Sequence, residues 1–220
     1  MSQIELLEEE MDPQKNARIE KIINSAYELF SKRGIEDVTM TDIADRSKIG
    51  VASIYRYFET KEILVVMTAT QVWDNQMQNV LPSLLRPKYK NSTGYEQLQE
   101  IFALFIKLYE TETEFLRFIY LFDAFAVKEK IPREAMSNYE AKILLVKQFI
   151  SDAIQKGFDD GSIGEKYKPY GEMLYFTLMH TFFSVAQKLS LSGKMLDMDT
   201  KKNGTIQLKL LADVLLGGLK

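Results

Sequence analysis

Apolar residues recur three and four positions apart along most of this chain, and this spacing restricts the fold more than any other feature. In residues 14–33, one helical face carries Ile19, Ile22, Ile23, Ala26, Leu29 and Phe30. Comparable patterns predict helices near residues 41–47, 50–58, 60–82, 95–110, 114–128, 132–156, 167–192 and 200–216. The sequence has no strand-like alternation of useful length. It therefore predicts an all-α fold with about nine helices.

Turn and capping residues separate these helices. Gly34 follows two basic residues and is expected to stop the first helix, and Gly157 is expected to stop the seventh. Pro132 suits the first turn of the seventh helix, and the fourth helix is expected to end near Pro82. Residues 87–94 have the polar composition of a connector. The pattern indicates a small helical head followed by a larger helical body.

The composition excludes several kinds of site. The 220 residues suffice for one long domain or two modest ones, and they include no Cys and a single His. A disulfide framework and a thiolate metal site are therefore excluded, and we expect no metal and no cofactor. The lack of Cys fits a reducing cytoplasm. Because no apolar run of about 18 residues is free of charges, and residues 1–12 do not resemble a secretory signal, no membrane partner is expected.

The charges are distributed unevenly, although the net charge of −3 provides no global positive field for a nucleic acid. Residues 1–13 contain five acidic and no basic residues, and we interpret them as a solvated acidic extension. Residues 14–65 contain nine basic and eight acidic residues and are therefore nearly neutral. Any affinity for a nucleic acid would then have to come from the local placement of individual groups.

Residues 41–58 combine two short helices with a tight turn, which is the pattern of a helix-turn-helix. Ile43 supplies an apolar face on the first helix, and Ile49 can fill the turn. Ile54 and Phe58, four residues apart, can bury the rear of the second helix. The remaining positions are expected to face outward: Gly50, Val51, Ala52, Ser53, Tyr55, Arg56 and Tyr57. A second helix this short can enter the major groove of DNA.

The same region resembles the DNA-binding domain of the TetR family of transcriptional regulators. The resemblance is carried by the motif Thr41-x-Ile-Ala and by the run Ile-Gly-Val-Ala-Ser-Ile-Tyr-Arg-Tyr-Phe-Glu-Thr-Lys-Glu-x-Leu, which begins at Ile49 and ends at Leu64. The preceding helix and its exit also match the family at Ala26, Phe30, Gly34 and Thr39. The specific resemblance covers residues 18–64, and the rest of the chain is similar in length and helical character.

This resemblance implies a division of the chain into three parts. Residues 1–13 would form the acidic extension, residues 14–62 a three-helix helix-turn-helix domain that binds DNA, and residues 63–220 a helical domain for ligand binding and dimerisation. Two positions depart from the family pattern. Lys48 stands where Gly is frequent, so we expect it to adopt a left-handed backbone. Gly50 replaces a frequent Ser that caps the second helix, and Gly is tolerated there.

The resemblance also implies DNA contacts. The predicted phosphate contacts, made by hydroxyls, one charge and helix ends, are Thr41, Tyr55, Tyr57 and Lys61. The predicted base contacts are Val51, Ala52, Ser53 and Arg56. Arg56 suits either a guanine or a phosphate, and the sequence does not choose between them. The alternatives are that the two tyrosines pack between helices and that Lys61 is an ordinary solvated charge.

A single short helix reads one face of the groove, so specificity calls for two copies. Apolar stripes near the C-terminus can supply a four-helix interface between two subunits, as the family resemblance implies. The predicted interface residues are Leu174, Leu178, Phe182, Val185, Leu210 and Val214. The alternative is that these stripes face the core of their own subunit.

The body is rich in aromatic residues and Met between residues 100 and 185. Rings of this kind are typical of an ordinary core, but the family resemblance favours a cavity for an apolar ligand among them. The predicted pocket residues are Trp73, Phe102, Phe105, Tyr109, Phe118, Phe122, Tyr139, Phe176, Met179 and His180. His180 also suits a hydrogen-bonded packing residue.

These observations favour a ligand-responsive regulator, more readily a repressor than an activator. It would bind a palindromic operator in double-stranded DNA as a homodimer, and a small apolar or amphipathic effector would release it. The alternative is a co-activator or adaptor of the same family whose effector is a protein partner. We do not expect an enzyme, because the sequence has no phosphate loop, no nucleophile elbow and no carboxylate pair beside a nucleophile.

Overall fold

The computed structural model describes residues 13–192 and 200–220, and this part of the chain contains ten α-helices and no strand. The first five helices are α1 (Pro13–Arg33), α2 (Met40–Ser47), α3 (Val51–Phe58), α4 (Lys61–Leu84) and α5 (Pro87–Asn91). The other five are α6 (Gly94–Thr111), α7 (Thr113–Lys128), α8 (Ser137–Asp159), α9 (Gly171–Ser192) and α10 (Lys201–Gly217). Short 3-10 helices, Arg133–Met136 and Glu165–Tyr170, precede α8 and α9. The predicted acidic extension lies, except for Pro13, outside the described residues.

The all-α prediction is confirmed, but several predicted helix ends are wrong. Helix α4 passes through Pro82 and ends at Leu84, because a proline in a last turn removes only one backbone hydrogen bond. The segment expected to be a connector forms the short helix α5. Pro132 precedes a 3-10 turn instead of opening the seventh predicted helix.

Gly157 does not end its helix but lies inside α8, where it allows a close approach of neighbouring chain segments. A Cβ atom added there would collide with the side chain of Ile163, and one added at Gly94 would collide with the backbone of Gly157. The glycine is therefore a packing position between α8 and the start of α6. A helix-stop signal and a close-packing glycine look alike in a single sequence.

Helices α1, α2 and α3 form the head around a compact apolar core. Helix α1 packs on α2, and α2 packs on α3. The core is fully buried and uses the predicted apolar positions together with one from the loop after α1: Ile22, Ala26, Phe30, Val38, Ile43, Ile54 and Phe58. Burying these side chains drives the pairing of two helices that are only eight residues long.

In the body, α6 packs against α8 and α10, while α9 packs against α7, α8 and α10. The α6–α10 contact is tight because Gly204 leaves room for the ring of Tyr109, with whose hydroxyl an added Cβ would collide. Among residues 13–192 and 200–220, no helix is both long and apolar enough to cross a membrane.

The head and the body share one continuous apolar core. Helix α4 packs along α1, and Phe118 of α7 contacts two rings of α1: Tyr27 edge-on with a centroid distance of 5.3 Å, and Phe30 stacked at 6.2 Å. Lys128 at the end of α7 pairs with Glu36 in the head at 2.8 Å. The predicted boundary between residues 62 and 63 falls in the first turn of α4, so a single rigid element belongs to both parts.

Candidate DNA-binding helices and ligand cavity

Helix α2 begins with a reciprocal capping box. The hydroxyl of Thr39 accepts a hydrogen bond from the backbone N–H of Asp42 at 3.1 Å, and the Asp42 carboxylate accepts one from the Thr39 N–H at 2.8 Å. Hydrogen bonds from Thr39, and then one from Arg33, lower the pKa of Asp42 to about 2. Thr41, the predicted phosphate contact, is exposed in the first turn of α2, where its hydroxyl lies near the positive end of the helix dipole.

The turn between α2 and α3 has the backbone that the sequence predicted. Lys48 adopts φ 57° and ψ 35°, a left-handed conformation that a β-carbon disfavours. The Ile49 N–H donates to the Ala44 carbonyl at 3.2 Å, and its half-buried side chain packs on the core. Gly50 caps α3 without a side-chain hydrogen bond. The start of α3 is therefore bare, and a phosphate or base edge can approach it closely.

Helix α3 has one buried and one exposed face. Ile54 and Phe58 are fully buried against α1 and α2, as predicted. Ser53 is half-buried, and the exposed residues include four of the predicted DNA contacts: Val51, Ala52, Tyr55 and Arg56. An aromatic ring and an aliphatic side chain thus stand in water beside an arginine on a helix of eight residues. This surface has the size and chemistry of a recognition helix.

Tyr57 was expected to be exposed, and this expectation is wrong because the residue is only 8% exposed. It lies three positions after Ile54 and therefore on the buried side of α3, where its ring meets Phe58 edge-on at 6.5 Å. The exposed guanidinium groups of Arg56 and Arg18 nevertheless act on its hydroxyl and lower the pKa of Tyr57.

Arg18 is a site residue that the sequence analysis missed. It lies on α1, far from the helix-turn-helix in sequence, and no local motif marks it. Packing of α1 brings its guanidinium to the Tyr57 hydroxyl, next to Arg56. Arg56 also lies over the Tyr57 ring, 5.3 Å from the ring centre. Two guanidinium groups and a hydroxyl thus lie together at one edge of the α3 surface. Such a cluster is suited to binding a phosphate group.

Lys61 begins α4, whose cap is Thr60. Its ammonium group is half-buried and donates to the backbone carbonyl of Glu36 at 3.3 Å. Burial lowers the pKa of Lys61, although neighbouring acids oppose this effect. The residue links α4 to the loop between α1 and α2, so the first turn of α4 is tied to the head.

In the body, a cavity of about 310 Å³ opens between α7, α8 and α9. Six of the ten predicted pocket residues line it: Trp73, Phe105, Tyr139, Phe176, Met179 and His180. His180 is exposed and stands beside Phe176, with a ring distance of 5.5 Å. The other lining residues are Ile119, Asp123, Ile143, Val146, Tyr175 and Phe183.

Four predicted pocket residues line neither this cavity nor the smaller one described next: Phe102, Tyr109, Phe118 and Phe122. All four are fully buried, and three of them pack against other rings: Phe102 on Phe182 at 4.8 Å, Phe118 on Tyr27 at 5.3 Å and Phe122 on Tyr139 at 4.7 Å. For these four, the alternative of ordinary core packing is correct. Helical spacing alone cannot separate a ring that fills the core from one that borders a void.

A second, smaller cavity of about 40 Å³ lies between α4, α6 and α8 and has an almost wholly apolar lining. It shares three lining side chains with the larger cavity, namely Trp73, Phe105 and Val146. These side chains form the wall between the two spaces. A ligand longer than either cavity would have to displace these side chains.

The larger cavity also contains polar groups. The indole N–H of Trp73 donates to the Tyr139 hydroxyl at 3.2 Å, and the Asp123 carboxylate accepts from the Gln187 amide at 3.5 Å. Asp123 keeps contact with solvent, yet the surrounding protein raises its pKa to about 6, and Gln187 opposes this shift. The sequence analysis did not single out Asp123, because one acid in a helix resembles a solvated surface residue.

The predicted dimer interface divides into two groups. Leu174, Leu178 and Phe182 are buried in the core of their own subunit, so assigning them to an interface was wrong, and Val185 is half-buried. Leu210 and Val214 on α10 are 63% and 64% exposed. Other large apolar residues on the outer face of α9 and α10 are also exposed: Met173, Leu191 and Ile206. Leu210, Val214 and these three residues form what we call the outer α9–α10 face.

These features define a class of protein: a helix-turn-helix DNA-binding regulator with an all-helical body. Residues 22–66 match the family model described as bacterial regulatory proteins, tetR family. This match supports a transcriptional regulator of the TetR type, a class whose members are not enzymes. Among residues 13–192 and 200–220, no three His, Asp or Glu side chains cluster in a way that would hold a metal ion.

Known proteins of similar sequence and structure support this assignment. IcaR, the negative transcriptional regulator of the icaADBC biofilm operon of Staphylococcus aureus, is 24% identical over 144 residues, which are 66% of this chain and 71% of IcaR. A transcriptional regulator from Saccharomonospora viridis, solved with choline, superposes with a TM-score of 0.67 at 16% identity, covering 91% and 97% of the two chains. FadR of Bacillus subtilis, solved with stearoyl-CoA, superposes with a TM-score of 0.64 at 14% identity, covering 91% of this chain and 99% of FadR. The structural likenesses show a shared fold.

Proposed function

We propose that this chain is a ligand-responsive repressor that binds a palindromic operator as a homodimer and leaves it when a small apolar or amphipathic effector enters the body. The observation that carries the proposal is that one helix, α4, contacts both the larger cavity and the head. It lines the larger cavity through Trp73 and contacts the head through Lys61. Residues 14–62 act as the DNA-binding domain and residues 63–220 as the effector and dimer domain, in the cytoplasm where the operator is accessible.

DNA is bound through the exposed face of α3. Val51, Ala52 and Ser53 contact base edges. The contacts are chiefly with thymine methyl groups, and the Ser53 hydroxyl adds one hydrogen bond to a base. Thr41 and Tyr55 bind phosphates through their hydroxyls. Arg56 and Tyr57 bind a phosphate together with Arg18, because their cluster lies at the edge of α3. Lys61 adds its charge at the start of α4 once its hydrogen bond to Glu36 is exchanged for a phosphate.

Two subunits associate through the outer α9–α10 face. Exposed apolar side chains concentrated on two adjacent helices are unusual on a monomer surface, and a second copy can cover them by two-fold symmetry. A four-helix interface of this kind places two α3 helices on one side of the dimer. Each helix then reads one half-site, with the half-sites about 34 Å apart along the DNA.

The effector acts by changing the position of α4. Trp73 and Lys61 are separated by twelve residues of continuous helix, or about 18 Å along the axis. An occupant of the cavity displaces Trp73, and α4 transmits that displacement to the head. The ligand releases DNA only if it binds the DNA-incompetent arrangement more tightly, and a difference of about 3 kcal/mol shifts the equilibrium by roughly two decades. The name of IcaR as a negative regulator supports repression.

Selection of bound duplexes from a random DNA pool by the purified full-length chain tests the proposal. We expect enrichment of an inverted repeat whose half-sites lie about one helical turn apart. Titration of the enriched sequence at two salt concentrations should then show tight binding that weakens as salt increases. Failure to enrich any sequence, with only weak binding at both salt concentrations, would contradict operator recognition and favour a protein partner as the target.

A further inference from the structure

The larger cavity has an unusual combination of charge and aromatic surface. Six aromatic side chains line it, from Trp73, Phe105, Tyr139, Tyr175, Phe176 and Phe183. Asp123 is the one acidic group among the lining residues, and neither Lys nor Arg is among them. Aromatic faces and a carboxylate both attract positive charge, and both repel negative charge.

The carboxylate of Asp123 has little compensation from the protein. Among the described residues, its hydrogen-bond donor is the amide of Gln187, at the long distance of 3.5 Å. Two lysines of α8, a helix that lines the cavity, are already paired with other acids: Lys142 with Asp74 and Lys147 with Glu172, each at 2.8 Å. Asp123 is exposed and has a weak protein donor, so its charge remains available to pair with a cation brought in by a ligand.

The rings beside Asp123 already accommodate an ammonium group. Lys147 lies over Phe176 at 5.0 Å from the ring centre and over Tyr175 at 5.6 Å. On the other side of the cavity, Trp73 stacks on Phe183 at 5.9 Å and is held in place by its hydrogen bond to Tyr139. The Trp73 hydrogen bond and these ring contacts orient the aromatic faces that line the cavity.

We propose that the effector is a monovalent organic cation: an ammonium or amidinium group bonded to an apolar body, with the cationic group at Asp123 and the apolar part among the rings. This inference rests on the proposed effector function and names its ligand class. The volume of about 310 Å³ fits the cationic group and part of the body. A longer apolar chain extends past Trp73, Phe105 and Val146 into the second cavity.

Three probes that share a decyl chain test the inference: decyltrimethylammonium, decyl alcohol and decanoate. Binding to the full-length chain is measured by calorimetry, with the fluorescence of Trp73, the chain's single tryptophan, as a second readout. We expect the cation to bind at least about tenfold more tightly than either other probe, because only the cation pairs with the carboxylate. This comparison uses the wild-type protein and needs no variant.

The variant Asp123→Asn keeps the shape of the side chain and removes its charge. We expect it to weaken binding of decyltrimethylammonium about tenfold and to leave binding of decyl alcohol unchanged. The matched control is Asp152→Asn, an exposed acid on α8 outside the lining, which should leave both affinities unchanged. Equal binding of all three probes to the wild type, with no effect of Asp123→Asn, would overturn the cation inference.

The same experiment separates this inference from the proposed function. If decyl alcohol or decanoate binds and releases the selected DNA as well as the cation does, the effector function stands and the cation class is wrong. If none of the probes binds, the cavity does not take a chain of this kind, and both the inference and the apolar effector are contradicted. Release of DNA by the cation alone supports both.

Discussion

Individual residues in the head combine local strain with local stabilisation. Lys48 holds a left-handed backbone that costs about 1–2 kcal/mol for a residue with a β-carbon. At the other end of α2, the capping box satisfies two backbone N–H groups and so stabilises the start of the helix. Arg33 joins the box to the end of α1 through a 3.2 Å contact with Asp42. The start of α2 therefore depends on polar contacts that change with pH.

We predict that Asp42 stabilises the fold at neutral pH and not in acid. Its pKa in the folded chain, about 2, is below the ordinary 3.8, so its contribution is complete above the ordinary value and is lost as the pH falls toward 2. Urea unfolding at pH 7 and pH 3 should show that Asp42→Asn is destabilising at pH 7 and less so at pH 3. Asp45→Asn, an exposed acid on the same helix, serves as the control. An Asp42→Asn effect that does not change with pH would refute this role.

A second prediction concerns Tyr55. Replacing it with Phe should weaken binding to the selected operator and to unrelated DNA by a similar factor, about fivefold, because one phosphate hydrogen bond is lost. Ser53→Ala should instead change which bases are preferred. The affinities are measured by fluorescence anisotropy, with Tyr120→Phe, an exposed tyrosine of the body, as the control. Unchanged affinity of Tyr55→Phe would mean that its hydroxyl does not bind phosphate.

The sequence predicted many of the site's residues but not all of the contacts that they make with other helices. The left-handed Lys48 and the buried Ile54 and Phe58 follow from turn chemistry and helical spacing. The cluster of Arg18 with Tyr57 does not, because it depends on how α1 crosses α3. Asp123 was missed for the same reason, since its surroundings come from α9 as well as from its own helix. Local rules predict a residue's conformation better than the residues it meets.

At the scale of elements, glycines determine how closely helices approach. Gly204 on α10 lies against Tyr109 of α6, and Gly157 on α8 lies against Ile163 and Gly94. The sequence analysis interpreted Gly157 as a helix stop because a single chain does not show what packs on a glycine. The existence of each helix was predicted from the spacing of apolar residues, which is a property of that segment alone. Helix ends and crossings depend on neighbours and were predicted less well.

We predict that Gly204→Ala destabilises the body by about 1–3 kcal/mol, because the added methyl group collides with the Tyr109 hydroxyl in a fully packed contact. The midpoint of urea unfolding at constant slope measures the change. Gly217→Ala, on the last residue of α10 with no atom within 4 Å of the added carbon, is the matched control and should be neutral or slightly stabilising. Equal effects of the two substitutions would show that α6 and α10 do not pack so closely.

At the scale of the whole molecule, the account depends on two subunits and one shared helix. The subunit buries its own aromatic core yet leaves Leu210 and Val214 in water. The sequence analysis named both of these residues but combined them with buried ones, because a stripe at helical spacing looks the same whether it faces inward or outward. Only a packed subunit shows which side remains exposed.

We predict that Leu210→Glu converts the dimer to a monomer while leaving the subunit folded, since residue 210 is 63% exposed in the subunit. Sedimentation equilibrium measures the mass, and thermal unfolding followed by circular dichroism checks the fold. Lys209→Glu is the control, because it places a Glu at an exposed neighbouring position outside the apolar face and changes the net charge by two units instead of one. A variant that stays dimeric would show that the two copies associate through another surface.

Hydroxyl-radical footprinting of the full-length chain on its selected operator tests the central claim most directly. A dimer that reads DNA through two α3 helices should protect two patches of the sugar–phosphate backbone on one face of the duplex, with the half-site centres about 34 Å or one helical turn apart. Adding an effector that binds the body should remove both patches together. A single short patch, or protection that persists when the body is occupied, would contradict the account.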